Sequence, residues 1–76
     1  MTLQYFSETD MFYIKLSDST SSESEEVANG IVFDYDEKNN VVGIEIENAR
    51  NKIDLSRLEL NALPITNVIF AERAAV

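Results

Sequence analysis

The chain has no cysteine, no histidine, one proline and two glycines. The missing cysteine excludes disulfides, thiolate metal sites and cysteine nucleophiles. The missing histidine removes the commonest general base and the commonest zinc ligand. Gly30 and Gly43 are too few to build a glycine-rich phosphate loop. No apolar run approaches the length of a membrane span, and no basic segment followed by an apolar stretch opens the chain. No membrane association is expected, and the cytoplasm is the expected compartment.

Positive charge is also scarce, with 6 basic residues against 14 acidic ones and a net charge of −8. Nucleic-acid phosphates and anionic lipid would repel such a surface, and no basic cluster offsets it locally. Tyr5, Tyr13 and Tyr35 lack the interleaved basic residues that nucleic-acid binding by base stacking requires. A basic partner protein or a cation would be attracted, although an acidic surface also serves solubility. At 76 residues the chain reads as a single domain, 1–76, near the lower size limit for a self-sufficient core. Scaffolds of this size usually need a staple, and of the usual ones another chain is the most available.

What the sequence does have is strand periodicity. Leu3 and Tyr5 alternate with Gln4 and Phe6. After the polar turn Ser7–Asp10, the run Met11–Leu16 sets Phe12, Ile14 and Leu16 against Met11, Tyr13 and Lys15. These two strands predict an antiparallel hairpin. Residues 17–26 are rich in serine and acid, and their first part reads as a solvated connector.

Asn29-Gly30 predicts a two-residue type I′ turn between a strand ending at Val27-Ala28 and one over Ile31–Tyr35. That register sets Ala28 opposite Ile31 and Val27 opposite Val32, and continued it sets Glu25 opposite Asp34. Two facing carboxylates are unfavourable. A bulge, a bound cation or fraying of the serine-rich end would relieve them, and fraying costs least. Past the turn Asp36–Asn40, Val41–Glu47 reads as a further strand, in which Gly43 marks a bulge or the close approach of another group.

These five segments predict a meander over 1–47. In 48–76, Ala49–Lys52 suits a helical turn, and Asp54 is a candidate N-cap for a short helix with Leu55, Leu58 and Ala62 at helical spacing, although Ile53, Leu55, Leu58 and Leu60 also read as extended segments. Pro64 ends that helix, Ile65–Phe70 reads as a last strand and Glu72–Val76 as a frayed tail. The expected fold is α+β, a small antiparallel β-meander of four or five strands with a short C-terminal helix packed on one face.

Two motifs carry a resemblance. Tyr5–Leu16 (YFSETDMFYIKL) resembles the opening motif of the domain-of-unknown-function 2283 family, and Gly30–Asp36 (GIVFDYD) with Val42–Ile46 (VGIEI) resembles its second signature. The resemblance covers roughly the first fifty residues. The family usually carries Asp-Pro where this chain has Phe6-Ser7, which implies a different first turn. The resemblance implies a small bacterial protein with an antitoxin-like or partner-binding role, and it supplies no catalytic residue. Asp10, Tyr13, Gly30 and Asp34 are explained as well by turns and packing as by chemistry.

Among chemical constellations, Asp34, Asp36 and Glu45 fall at acidic positions of the calcium-loop pattern, making them the candidate metal ligands. Lys38 at a ligand position, Asn39 in place of glycine and flanking strands all weaken that pattern. Asp34 with Glu45 on neighbouring strands is also the candidate carboxylate pair for hydrolysis, which would require a pocket. Apolar residues on both strand faces exceed what one short helix covers. Met11, Tyr13, Val32 and Val41, rimmed by Glu45 and Glu47, are the candidate interface; the alternative is that Leu55, Leu58, Leu60 and Ile65–Phe70 fold over that surface. The expected function is a non-catalytic protein-interaction module, without a cofactor, that forms a homo-oligomer first and binds a basic protein second. A small carboxylate-based metal-binding protein or hydrolase is the alternative.

Overall fold

The computed structural model describes residues 1–71. Five strands, β1 (Thr2–Phe6), β2 (Met11–Lys15), β3 (Glu23–Ala28), β4 (Ile31–Tyr35) and β5 (Val41–Ile46), form one antiparallel sheet. The hairpin of β1 and β2 and the positions of β4 and β5 follow the period-two pattern, and β3 follows from the turn at Asn29-Gly30. The expected tail over 72–76 lies outside the described residues.

The strand order is β1-β2-β5-β4-β3, which corrects the expected meander. β5 takes the centre and β3 the far edge. The reason is burial: Val42, Gly43 and Ile46 of β5 are buried, whereas all of β3, including Glu23, Glu25 and Glu26, is exposed. A charged strand at an edge keeps its carboxylates hydrated and also discourages pairing with other chains. Residues 16–22 carry the chain from β2 across the strand ends to β3. The Leu16 N–H donates to the Val42 carbonyl at 2.9 Å and the Ser22 N–H to the Tyr35 carbonyl at 2.8 Å along that path.

The β3–β4 hairpin departs from the expected register in an informative way. Ala28 does face Ile31, but a bulge between Glu26 and Ala28 then sets Glu26, not Val27, opposite Val32. Glu25 moves opposite Phe33, and Ser24 moves opposite Asp34. The carboxylate clash is thus relieved by a bulge rather than by fraying. The turn differs too. Gly30 has φ +76°, while Asn29 is not among the residues with positive φ. The expected type I′ turn, which needs a positive φ at both residues, is therefore not formed. The Glu26 carboxylate accepts from the Gly30 N–H at 3.0 Å, a bond the bulge makes local.

Directly opposed residues share a sheet face. One face carries Phe12, Ile14, Ile31, Phe33, Ile44 and Ile46, extended onto β1 by Leu3 and Tyr5. Beyond β5, Ala49–Asn51 forms a 3-10 turn, as its residues suggested, and Ala49 is fully buried. Asp10, at φ +53°, clasps this turn. Its carbonyl accepts from the Ala49 N–H at 2.9 Å, and its carboxylate accepts from the Arg50 N–H at 3.2 Å and the Tyr5 hydroxyl at 2.8 Å.

The expected C-terminal helix and last strand are corrected: among the described residues there is no α-helix, and neither 54–63 nor Ile65–Phe70 is regular. Asp54 spends its carboxylate on a local turn, accepting from the Ser56 N–H at 2.9 Å and the Ser56 hydroxyl at 2.5 Å. Ala62 sits at φ +56°, which no α-helix accommodates, and Pro64 follows. The described fold is therefore a five-stranded sheet with one 3-10 turn rather than α+β.

Candidate functional site

The second sheet face is built from two rows. Tyr13, Glu45 and Val32 stand side by side across β2, β5 and β4, and Lys15, Gly43 and Asp34 form the next row. Ser24 of β3 extends the second row beyond Asp34. A Cβ built on Gly43 would lie 2.5 Å from the Tyr13 hydroxyl oxygen, 3.0 Å from Tyr13 Cζ and 3.1 Å from Asp34 Oδ2. The missing side chain therefore lets the Tyr13 ring lean across β5 towards Asp34. Both readings of Gly43 hold, because a register shift also falls beside it, between Asp34 and Tyr35.

Asp34 is 5% exposed, the one buried charged residue among those described. Burying a carboxylate is costly unless it is hydrogen-bonded. The Ser24 hydroxyl donates to Asp34 Oδ1 at 2.5 Å. Glu45 lies diagonally across from Asp34. Burial pushes the Glu45 carboxyl above the ordinary glutamate range, and the hydrogen-bonding and charge of Asp34, then the charge of Glu47, push it the same way.

The proposed metal set does not assemble. Asp36 is taken up by its own turn, its carboxylate accepting from the backbone N–H groups of Lys38 and Asn40, each at 2.9 Å, and from the Asn40 side chain at 3.2 Å. These bonds, led by that from the Asn40 backbone, hold its carboxyl below the usual aspartate range. Among the described residues no group of three His, Cys, Asp or Glu side chains is placed to hold a metal ion. Asp34 and Glu45 come together; Asp36 does not join them. Hydrolysis by the pair is disfavoured by the burial of Asp34 and by its bond to Ser24, which leave little of it open to a substrate.

Of the candidate interface residues, Met11, Tyr13, Val32 and Glu45 share this second face and are half-buried. Val41 stands apart, opposite Tyr35, and Glu47 is exposed beyond the end of β5. Ser24 and Arg50 were not singled out by sequence, and Asp10 was read as a turn or packing position without its partners Tyr5 and Arg50. The signal for Ser24 lay in the Glu25–Asp34 clash, since shifting β3 by one residue puts a hydroxyl where the second carboxylate would have been. Among the described residues no helix is long and apolar enough to cross a membrane.

No curated protein and no solved structure matches the chain. The model of the family described as protein of unknown function (DUF2283) matches residues 3–50, more than half of the chain. The match begins in β1 and ends at Arg50, inside the turn clasped by Asp10, so it spans nearly the whole sheet. With the resemblance of Tyr5–Leu16 and Gly30–Asp36 borne out in this way, the chain belongs to the DUF2283 family of proteins of unknown function.

Proposed function

We propose that this protein is a non-catalytic interaction module that works by self-association. The observation that supports this most is the small size of its core. Val42, Ile46 and Ala49 are the buried apolar residues among those described, and no large side chain is completely buried. At the same time Leu58 is 60% exposed, Ile69 83% and Phe70 89%. Each such side chain gains about 1.5–3 kcal/mol when fully buried. With no cysteine to form a disulfide and no metal cluster among the described residues, a second chain is the staple that remains. A basic protein, such as a toxin-like partner, suits the net charge of −8 as a second associate.

Size-exclusion chromatography with light scattering tests this reading. A dimer or larger species is expected; a clean monomer at high micromolar concentration contradicts it.

A further inference from the structure

Resting on the self-association proposed above, we infer that two copies join through β1, edge to edge about a two-fold axis, making one continuous sheet across the dimer. The two edges of the sheet are β1 and β3. They differ in the features that decide whether an edge can pair. β3 carries Glu23, Glu25 and Glu26 and a bulge, both of which oppose pairing with another strand. β1, Thr-Leu-Gln-Tyr-Phe, is the one strand of the five without a charged residue. Among the described residues, no strand pairs with its outer side.

In a chain of net charge −8, two copies approach most easily where neither presents a carboxylate. A two-fold axis through Gln4 pairs Leu3 of one copy with Tyr5 of the other, and Thr2 with Phe6. Like Leu3, Phe6 is exposed in the single chain. The pairing extends the apolar face of Phe12 and Ile14 without a break into the second copy. A β3 pairing would instead bring three glutamates of each copy together. Tyr5 is already held for this role, its hydroxyl donating to Asp10 and accepting from Arg50 Nε at 3.1 Å.

The absence of native cysteine makes the test clean. In full-length Gln4→Cys, the two introduced thiols face each other across the axis at the Cα separation of about 4.5–5.5 Å of an antiparallel pair, which a disulfide bridges. Mild oxidation is expected to link Gln4→Cys quantitatively into a covalent dimer, and to leave Glu25→Cys on the opposite edge unlinked. Gln4→Asp places two carboxylates opposite each other and is expected to raise the dimer dissociation constant by about fivefold, with the strand signal in circular dichroism unchanged. If the native protein is a dimer but Gln4→Cys stays unlinked, or Glu25→Cys links equally, the β1 edge is wrong and self-association stands. A monomeric native protein removes both proposals.

Discussion

Tyr13 leans over Gly43, with its hydroxyl oxygen 2.5 Å from the point where a Cβ on Gly43 would stand. The two residues come from neighbouring central strands, and the glycine is what allows a tyrosine ring to reach across towards the buried Asp34. A side chain at this position must displace the ring. Overpacking a core of this kind typically costs about 1–3 kcal/mol, more than the roughly 0.5–1 kcal/mol that alanine gains over glycine in a strand.

Gly43→Ala is therefore expected to destabilise the fold by about 1 kcal/mol in urea titration. In a Tyr13→Ala background the same substitution is expected to cost less, because the ring is gone and only Asp34 Oδ2, 3.1 Å from the Cβ position, is left to give way. Additive costs in that double-mutant cycle would show that the two residues do not compete for the space.

The clasp at Asp10 separates a backbone effect from a side-chain effect. Asp10 holds φ +53°, and its carboxylate accepts from Arg50 and Tyr5. Asp10→Ala loses those bonds and strains the backbone by roughly 1–2 kcal/mol, whereas Asp10→Gly loses the bonds alone. Equilibrium unfolding is expected to rank Asp10→Ala below Asp10→Gly, and both below the native chain. The reverse order would mean that the left-handed conformation of residue 10 contributes nothing.

Much of this architecture was legible in the sequence. Alternation placed β1, β2, β4 and β5, the turn at Asn29-Gly30 placed β3, and Gly43 announced a close approach. The order of the strands was not legible, because alternation says which residues share a face but not which strand lies beside which. The placement of β5 beside β2 follows from burial of Val42, Gly43 and Ile46, a property of the assembled sheet. The bulge at Val27 is one of the three ways the sequence offers to relieve Glu25 against Asp34, but fraying reads as the cheaper one. Local turn propensity at Asn29-Gly30 favours a regular two-residue hairpin, and only the cost of setting Glu25 against buried Asp34 overrides it. Helical spacing at Leu55, Leu58 and Ala62 misled, because Asp54 closes a turn on Ser56 and Ala62 turns left-handed. Of the candidate site, Asp34 with Glu45 was readable as a cross-strand pair, but Ser24 depended on the bulge.

The pH dependence of stability tests that pair. Glu45 has its carboxyl raised by burial and by Asp34. A carboxyl with a folded-state pKa above its unfolded one contributes stability that is complete below the unfolded value and is lost as pH rises through the folded value. Asp36, held low by its turn, behaves oppositely, and its contribution disappears as pH falls below the usual aspartate range. Urea stabilities measured from about pH 3 to 8 are expected to decline less on the alkaline side in Glu45→Gln. Asp36→Asn is expected to flatten the acid side instead. A Glu45→Gln profile parallel to that of the native chain would remove the Asp34–Glu45 coupling.

Melting temperature as a function of protein concentration is the most direct measurement of whether the fold depends on a second copy, since association makes unfolding obey mass action. The midpoint is expected to rise steadily as the protein is taken from low to high micromolar concentration. A single cooperative transition at one temperature throughout that range would mean that a lone chain, despite burying only Val42, Ile46 and Ala49 among its described apolar residues, is stable without company.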